Sequence, residues 1–143
     1  MRRMIGITLA GLVLAALAVA GWVRLAPSDP ARWHVDPEAE PEPGTPNFAR
    51  LDLVLDAPPP VVAARLERIA RAEGAILLAG DGAHTTWITR TRLMGYPDYT
   101  TVRLTPEGEG TRVVALARAR FGRGDMGVNA ARLARWLAAA RQG

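Results

Sequence analysis

The sequence predicts an α+β domain: an antiparallel sheet of about five strands packed by two helices, in the order β-α-β-β-β-β-α, behind one transmembrane helix. Three observations carry this reading. An uncharged apolar run, Met4 to Val23, opens the chain. Apolar residues recur at helical spacing in two later stretches, one after Pro58-Pro59-Pro60 and one at the C-terminus. Between those stretches lie short segments of apolar and alternating residues, separated by glycine-rich breaks.

The N-terminal run has 20 residues. At about 1.5 Å per residue it reaches roughly 30 Å, the thickness of a bilayer's hydrocarbon core. Its only polar side chains are Thr8 and the interface-type Trp22, so it has no polar stripe of the kind a soluble core helix shows. Arg2 and Arg3 precede it, which favours an N-terminus inside and a domain outside; Arg24 weakens the bias slightly. The alternative is a signal peptide cleaved after Ala20, because Ala18-Val19-Ala20 has the small-x-small pattern. The apolar run continues past that point and exceeds the usual signal core, so the uncleaved anchor, residues 1–24, is the preferred reading.

Residues 25–47 are rich in proline and acid. Asp29 to Glu42 carries five acids against one base, a net charge of −4. Such a stretch is expected to be an extended linker, with Trp33 at the membrane interface or docked on the domain. From Phe48 onward there are 14 arginines and nine acids, a net charge of +5. A basic domain, residues 48–143, attracts anions such as lipid headgroups or acidic proteins.

Arg50 to Asp56 reads as the first strand. Pro59 or Pro60 opens a helix whose stripe is Val62, Leu66, Ile69 and Ala70 and which stops at Gly74. Glu67 and Arg71 form a favourable i,i+4 pair. Ala75 to Ala79 is a short strand closed by Gly80-Asp81-Gly82. His84 to Leu93 alternates, with Trp87, Thr89, Thr91 and Leu93 on one face and Ile88, Arg90 and Arg92 on the other. After a bend at Gly95 to Asp98, the strands Tyr99 to Thr105 and Thr111 to Phe121 form a hairpin. Gly122 to Asp125 breaks the sheet, and a helix follows to Arg141 with Leu133, Trp136, Leu137 and Ala140 buried; Asp125 or Asn129 caps it, and Arg132 lies on another face.

Elimination narrows the chemistry. There is no cysteine and no lysine, and the only serine, Ser28, lies in the linker. The only histidines are His34 and His84, the latter expected in a surface turn, so a Ser-His-Asp site in the domain is excluded. A histidine-rich metal site is excluded too, and the glycine-rich turns match neither the phosphate-loop nor the dinucleotide pattern. No cofactor is expected. Paired-carboxylate hydrolysis through Asp98 and Asp125 is formally open.

One constellation stands out. Arg118 and Arg120 share a face of their strand, as do Arg90 and Arg92 of theirs, and Asp98, Arg123, Asp125 and Asn129 fall in adjoining bends. Guanidinium and carboxylate are bidentate partners, so the group reads either as an ion-pair network or as a site for an anion or acidic partner. Nucleic acid is disfavoured, because no series of stacking aromatics accompanies the arginines.

The blocks Arg90-Thr-Arg-Leu-Met-Gly-Tyr-Pro-Asp-Tyr99 and Ala117-Arg-Ala-Arg-Phe-Gly-Arg-Gly-Asp-Met-Gly-Val-Asn-Ala-Ala-Arg132 carry a resemblance. The chain resembles the bacterial domain-of-unknown-function family 1499 over the region from about Leu51 to the C-terminus. The family's second block has serines beside its arginines; here Ala117 and Ala119 replace them. The resemblance implies a membrane-attached or exported protein and no established reaction. The expectation is therefore a single-pass inner-membrane protein with a periplasmic domain. It would act as a non-enzymatic module for an anionic lipid or envelope protein, through Arg90, Arg92, Arg118, Arg120, Asp98, Asp125 and Asn129. The alternatives are a carboxylate-dependent hydrolase and a purely structural envelope protein.

Overall fold

The computed structural model describes the backbone of Met1–Gly143 and every side chain except those of residues 2 and 3. The charges of Arg2 and Arg3, on which the expected orientation rests, thus lie outside the described side chains. A long helix α1, Arg2–Leu25, is followed by a single turn α2, Pro30–Trp33. Then come β1 (Phe48–Leu55), α3 (Pro59–Ala72), β2 (Ile76–Asp81), β3 (His84–Arg90), β4 (Pro97–Glu107), β5 (Gly110–Ala119) and α4 (Val128–Gln142). The fold is α+β, with all five strands antiparallel in the order β1-β5-β4-β3-β2. From Met4 to Leu25, α1 is long and apolar enough to cross a membrane, a property that a signal sequence at the same position would share.

Helices α3 and α4 cover one face of the sheet. Val62, Leu66 and Ala70 of α3 and Leu133, Trp136, Leu137 and Ala140 of α4 meet Leu55, Trp87, Val102, Leu104, Val113, Ala115 and Ala117 from the strands. The stripes follow from the 3.6-residue period of a helix and the two-residue period of a strand. Pro59 and Pro60 start α3 where the missing N–H costs nothing, and Gly74 ends it at φ 78°.

Three elements differ from expectation. The third strand stops at Arg90, and Thr91–Met94 turns away; Arg92 therefore does not continue the strand face of Arg90. The β4–β5 hairpin is tighter than expected, with strand pairing continuing through Glu107 and Gly110 around Gly108 and Glu109.

The largest difference is the segment 25–47. Expected to be extended and unpacked, it forms a strap across the sheet face that the helices leave open. Trp33 is buried and stacks on Tyr99, ring centroids 3.9 Å apart at 10°. Asp36, Glu38 and Glu40 fall at alternate positions and meet Arg103 (3.3 Å), Arg112 (3.1 Å) and Arg118. Arg50 donates to the carbonyl of Glu40. The acidic strap thus neutralises a row of sheet arginines, which lets a proline-rich segment pack without forming a strand itself.

His84 is drawn into this contact and is not in an exposed turn. It opens β3, stacks on His34 with ring centroids 4.0 Å apart, and donates from Nε2 to the carbonyl of Val35. The hydroxyl of Thr101 donates to the carbonyl of Trp33, so Thr86 donates to Thr101 and His34 Nδ1 donates to Thr86. Gly80 is required beneath this pair: its φ is 86°, and a methyl there would lie 2.8 Å from His34 Cε1.

Candidate functional site at the α1 end of the domain

The residues singled out from sequence divide among three places. Asp98 lies on the helix-covered side of β4, and its neighbour Tyr99 points to the strap. Its carboxylate accepts from Arg132 Nη2 at 3.0 Å, with the two side chains 7% and 9% exposed. Arg132 also donates to Asn129 Oδ1 at 2.7 Å, and Asn129, fully buried, donates to the carbonyl of Asn47. Asp125 accepts from the backbone N–H groups of Gly127 and Asn129 and caps α4, one of the two capping roles expected.

Arg132, expected on another face of the last helix, lies on its buried stripe. Asn129, Arg132, Leu133, Trp136, Leu137 and Ala140 share one helical stripe, and all six are buried. An arginine on such a stripe requires a buried acid, and Asp98 supplies it. Burial pushes the carboxyl of Asp98 above the usual carboxylate value, with Asp125 adding to the rise and the Arg132 contact opposing it. Burial pushes Asp125 the same way, but the N–H and side chain of Asn129 and the N–H of Gly127 outweigh it and hold that carboxyl low.

Arg118 lies across the sheet from Asp98. It pairs with Glu40 of the strap, and its guanidinium carbon sits 4.9 Å from the centroid of the Trp33 ring. Arg118 and Asp98 therefore do not meet, because neighbouring strand positions point to opposite faces.

The third group gathers where α1 joins the domain. Arg90 donates to the carbonyl of Gly95, Arg120 to that of Pro27, and Arg24 to that of Leu93. Gly95 takes φ 74°, and a methyl there would come within 2.6 Å of the Arg24 side chain. Arg92 and Arg123 are exposed. Among the described residues none of these five arginines forms an ion pair with a carboxylate, whereas Arg103, Arg112, Arg118 and Arg132 all do.

Between α1 and this end of the sheet lies an open cavity of about 440 Å³. One wall is Val19, Trp22 and Val23 of α1; the other comes from Thr91 to Asp98 and from Ala119 to Val128. Its lining is mostly apolar, with Tyr96 and Phe121 in contact and Trp22 edge-on to Phe121 at 5.6 Å. Asp98 and Asp125 reach its inner end, where Arg132 and backbone N–H groups already hold them. Leu93 and Met126, 84% and 99% exposed, mark the tips of the two loops. Among the described residues no group of three histidine or acidic side chains is placed to hold a metal ion.

The fold defines a small two-layered α+β domain with an apolar N-terminal helix packed against one end of its sheet. More particularly, the family described as "Protein of unknown function (DUF1499)" matches residues 24–139, and the chain belongs to that family. The match begins at the end of α1 and takes in the strap. No curated protein matches the chain. Among solved structures it is similar to protein CV1439 from Chromobacterium violaceum, at 16% identity and TM-score 0.46, over 68% of this chain and 94% of that one. It is also similar to TTHA0849 from Thermus thermophilus, at 18% identity and TM-score 0.36, over 66% of this chain and 94% of that one.

Proposed function

We propose that this protein is a membrane-anchored, non-enzymatic module on the outer side of the bacterial inner membrane, whose anchor-side end binds anionic lipid headgroups. In this reading α1 remains attached, with the N-terminus inside and the domain in the periplasm. The observation that carries it is the unequal pairing of the arginines. Arg103, Arg112 and Arg118 under the strap and Arg132 beneath α4 have carboxylate partners; Arg24, Arg90, Arg92, Arg120 and Arg123, at the end beside α1, have none among the described residues. A cation near an anionic surface gains about 1 kcal/mol, so a set of this size would give a useful preference.

The test is lipid selectivity of the full chain in nanodiscs of mixed phosphatidylcholine and phosphatidylglycerol. The wild type should enrich phosphatidylglycerol, and the variant Arg90→Gln/Arg92→Gln/Arg120→Gln/Arg123→Gln should lose most of that enrichment. Equal lipid composition around both would sink the reading.

A hydrolase reading has one observation in its favour: Asp98, with its raised pKa, borders the same cavity as Asp125. Turnover of an ester, glycan or phosphate panel by the wild type, abolished in Asp125→Asn, would support it; no turnover on the panel would leave it without support.

A further inference from the structure

The cavity has a wall that an ordinary ligand pocket lacks. Val19 lies six residues before the end of the span at Leu25. At about 1.5 Å per residue it is roughly 9 Å below that end. The loop bearing Phe121 and Met126 lines the same cavity as Val19, so it reaches alongside α1 below the end of the span. If α1 crosses a bilayer, the lower mouth of the cavity faces acyl chains and its upper rim lies at headgroup level. Leu93 and Met126, almost fully exposed, then sit where exposure to lipid, not water, is the favourable state.

Three arginines are chain neighbours of lining residues, which sets positive charge close to the cavity. Arg92 adjoins Thr91 in one wall, and Arg123 sits between Gly122 and Gly124 in the other. The guanidinium of Arg120 lies 5.2 Å from the centroid of Phe121, itself part of the lining. Of the two carboxylates in the lining, Asp98 is neutralised by Arg132, and Asp125 keeps its charge but is turned onto the N–H groups of Gly127 and Asn129 at the positive end of α4. The size, about 440 Å³, falls within the range of small-ligand sites.

We infer that this cavity is a binding site for one phospholipid of the surrounding membrane, its acyl chain between α1 and Phe121 and its phosphate among Arg92, Arg120 and Arg123. The inference rests on the membrane attachment proposed above, and it adds a discrete site to a general surface preference. One lipid is held by the walls; the rest are only attracted by the rim.

Gly124 provides a clean way to block the site. It lines the cavity, a Cβ added there meets nothing within 4 Å, and its φ is not positive. Full-length protein would be released from nanodiscs containing equal phosphatidylcholine and phosphatidylglycerol and examined by native mass spectrometry after annular lipid is stripped. Wild type should retain one phospholipid per chain. Gly124→Trp should reduce that retained fraction at least tenfold at an unchanged melting temperature, and Val19→Trp, which fills the cavity from α1, should do the same. Retention equal to wild type in both variants would overturn the site, whatever the headgroup preference. Headgroup preference is scored separately. If the arginine variant loses it while both cavity variants keep their lipid, the proposed function stands and the discrete site falls. If no preference exists but one lipid is retained and lost on blocking, the site stands and the anionic preference falls.

Discussion

The strap-covered face of the sheet and the end of the sheet beside α1 treat arginine differently. Under the strap, Arg103, Arg112 and Arg118 meet Asp36, Glu38 and Glu40 of the same chain, and the surface closes on itself. At the anchor end, five arginines satisfy themselves with backbone carbonyls or remain in solvent. The same residue type thus serves cohesion in one region and stays available in the other. What separates them is the supply of acids: the strap brings its own, and the anchor end has Asp98 and Asp125 already committed to α4.

The comparison can be broken first at its most costly contact. Arg132→Ala leaves Asp98 buried without its partner, and a loss of about 4 kcal/mol is expected in denaturant unfolding, since breaking a buried pair strands a charge. A smaller loss would show that water reaches Asp98 through the cavity. Next, Trp33→Ala removes the ring that Tyr99 and Arg118 contact, with an expected loss of about 3 kcal/mol. Faster hydrogen exchange confined to the strap would locate the damage there.

Acid should loosen the same strap. His34 is held below its ordinary value of 6.5 by burial first, then by His84 and Arg103. Its folded form therefore takes up a proton later than its unfolded form, so its contribution is intact above 6.5 and declines as pH falls below it. Asp36 is the one acid facing this group from the strap, through Arg103. Strap exchange should rise between about pH 7 and about pH 5, and His34→Gln should flatten that rise.

The smallest effects should come from exposed arginines. Arg112→Ala removes two half-exposed pairs, with Asp52 and Glu38, and should cost less than about 1 kcal/mol. Arg92→Gln/Arg123→Gln should change stability by no more than about 0.5 kcal/mol while altering lipid preference. A large loss from that double variant would place the anchor-end arginines with the cohesive set and remove the contrast.

Most of the secondary structure was legible because its signals are local. Val62, Leu66 and Ala70 follow a helical period, and proline and glycine punctuate the ends of α3. The strap was not legible in that way, since its order comes mainly from partners distant in the chain, His34 with Thr86, 52 residues apart, among them. A trace was present nonetheless: Asp36, Glu38 and Glu40 alternate, as the acids of an extended segment lying on a charged surface must. Arg132 was hidden for a different reason. Its place on the buried stripe was readable, but an arginine there contradicts the hydropathy rule until Asp98 is seen opposite. Arg118 and Asp98, neighbours in motif and register, proved to lie on opposite faces, which only the strand pairing could separate.

The hydrogen bonds from Arg24 to the carbonyl of Leu93 and between the hydroxyls of Ser28 and Tyr99 carry one more consequence. They fasten the end of α1 to the domain within four residues of the span, leaving no slack for a tether. An anchored molecule built this way stands as a post with a set heading. Its β4–β5 hairpin lies along an 11-residue strand from Pro97, roughly 36 Å away at about 3.3 Å per residue. The hairpin tip is therefore held at a set distance from the end of α1, and the domain does not roam about that helix.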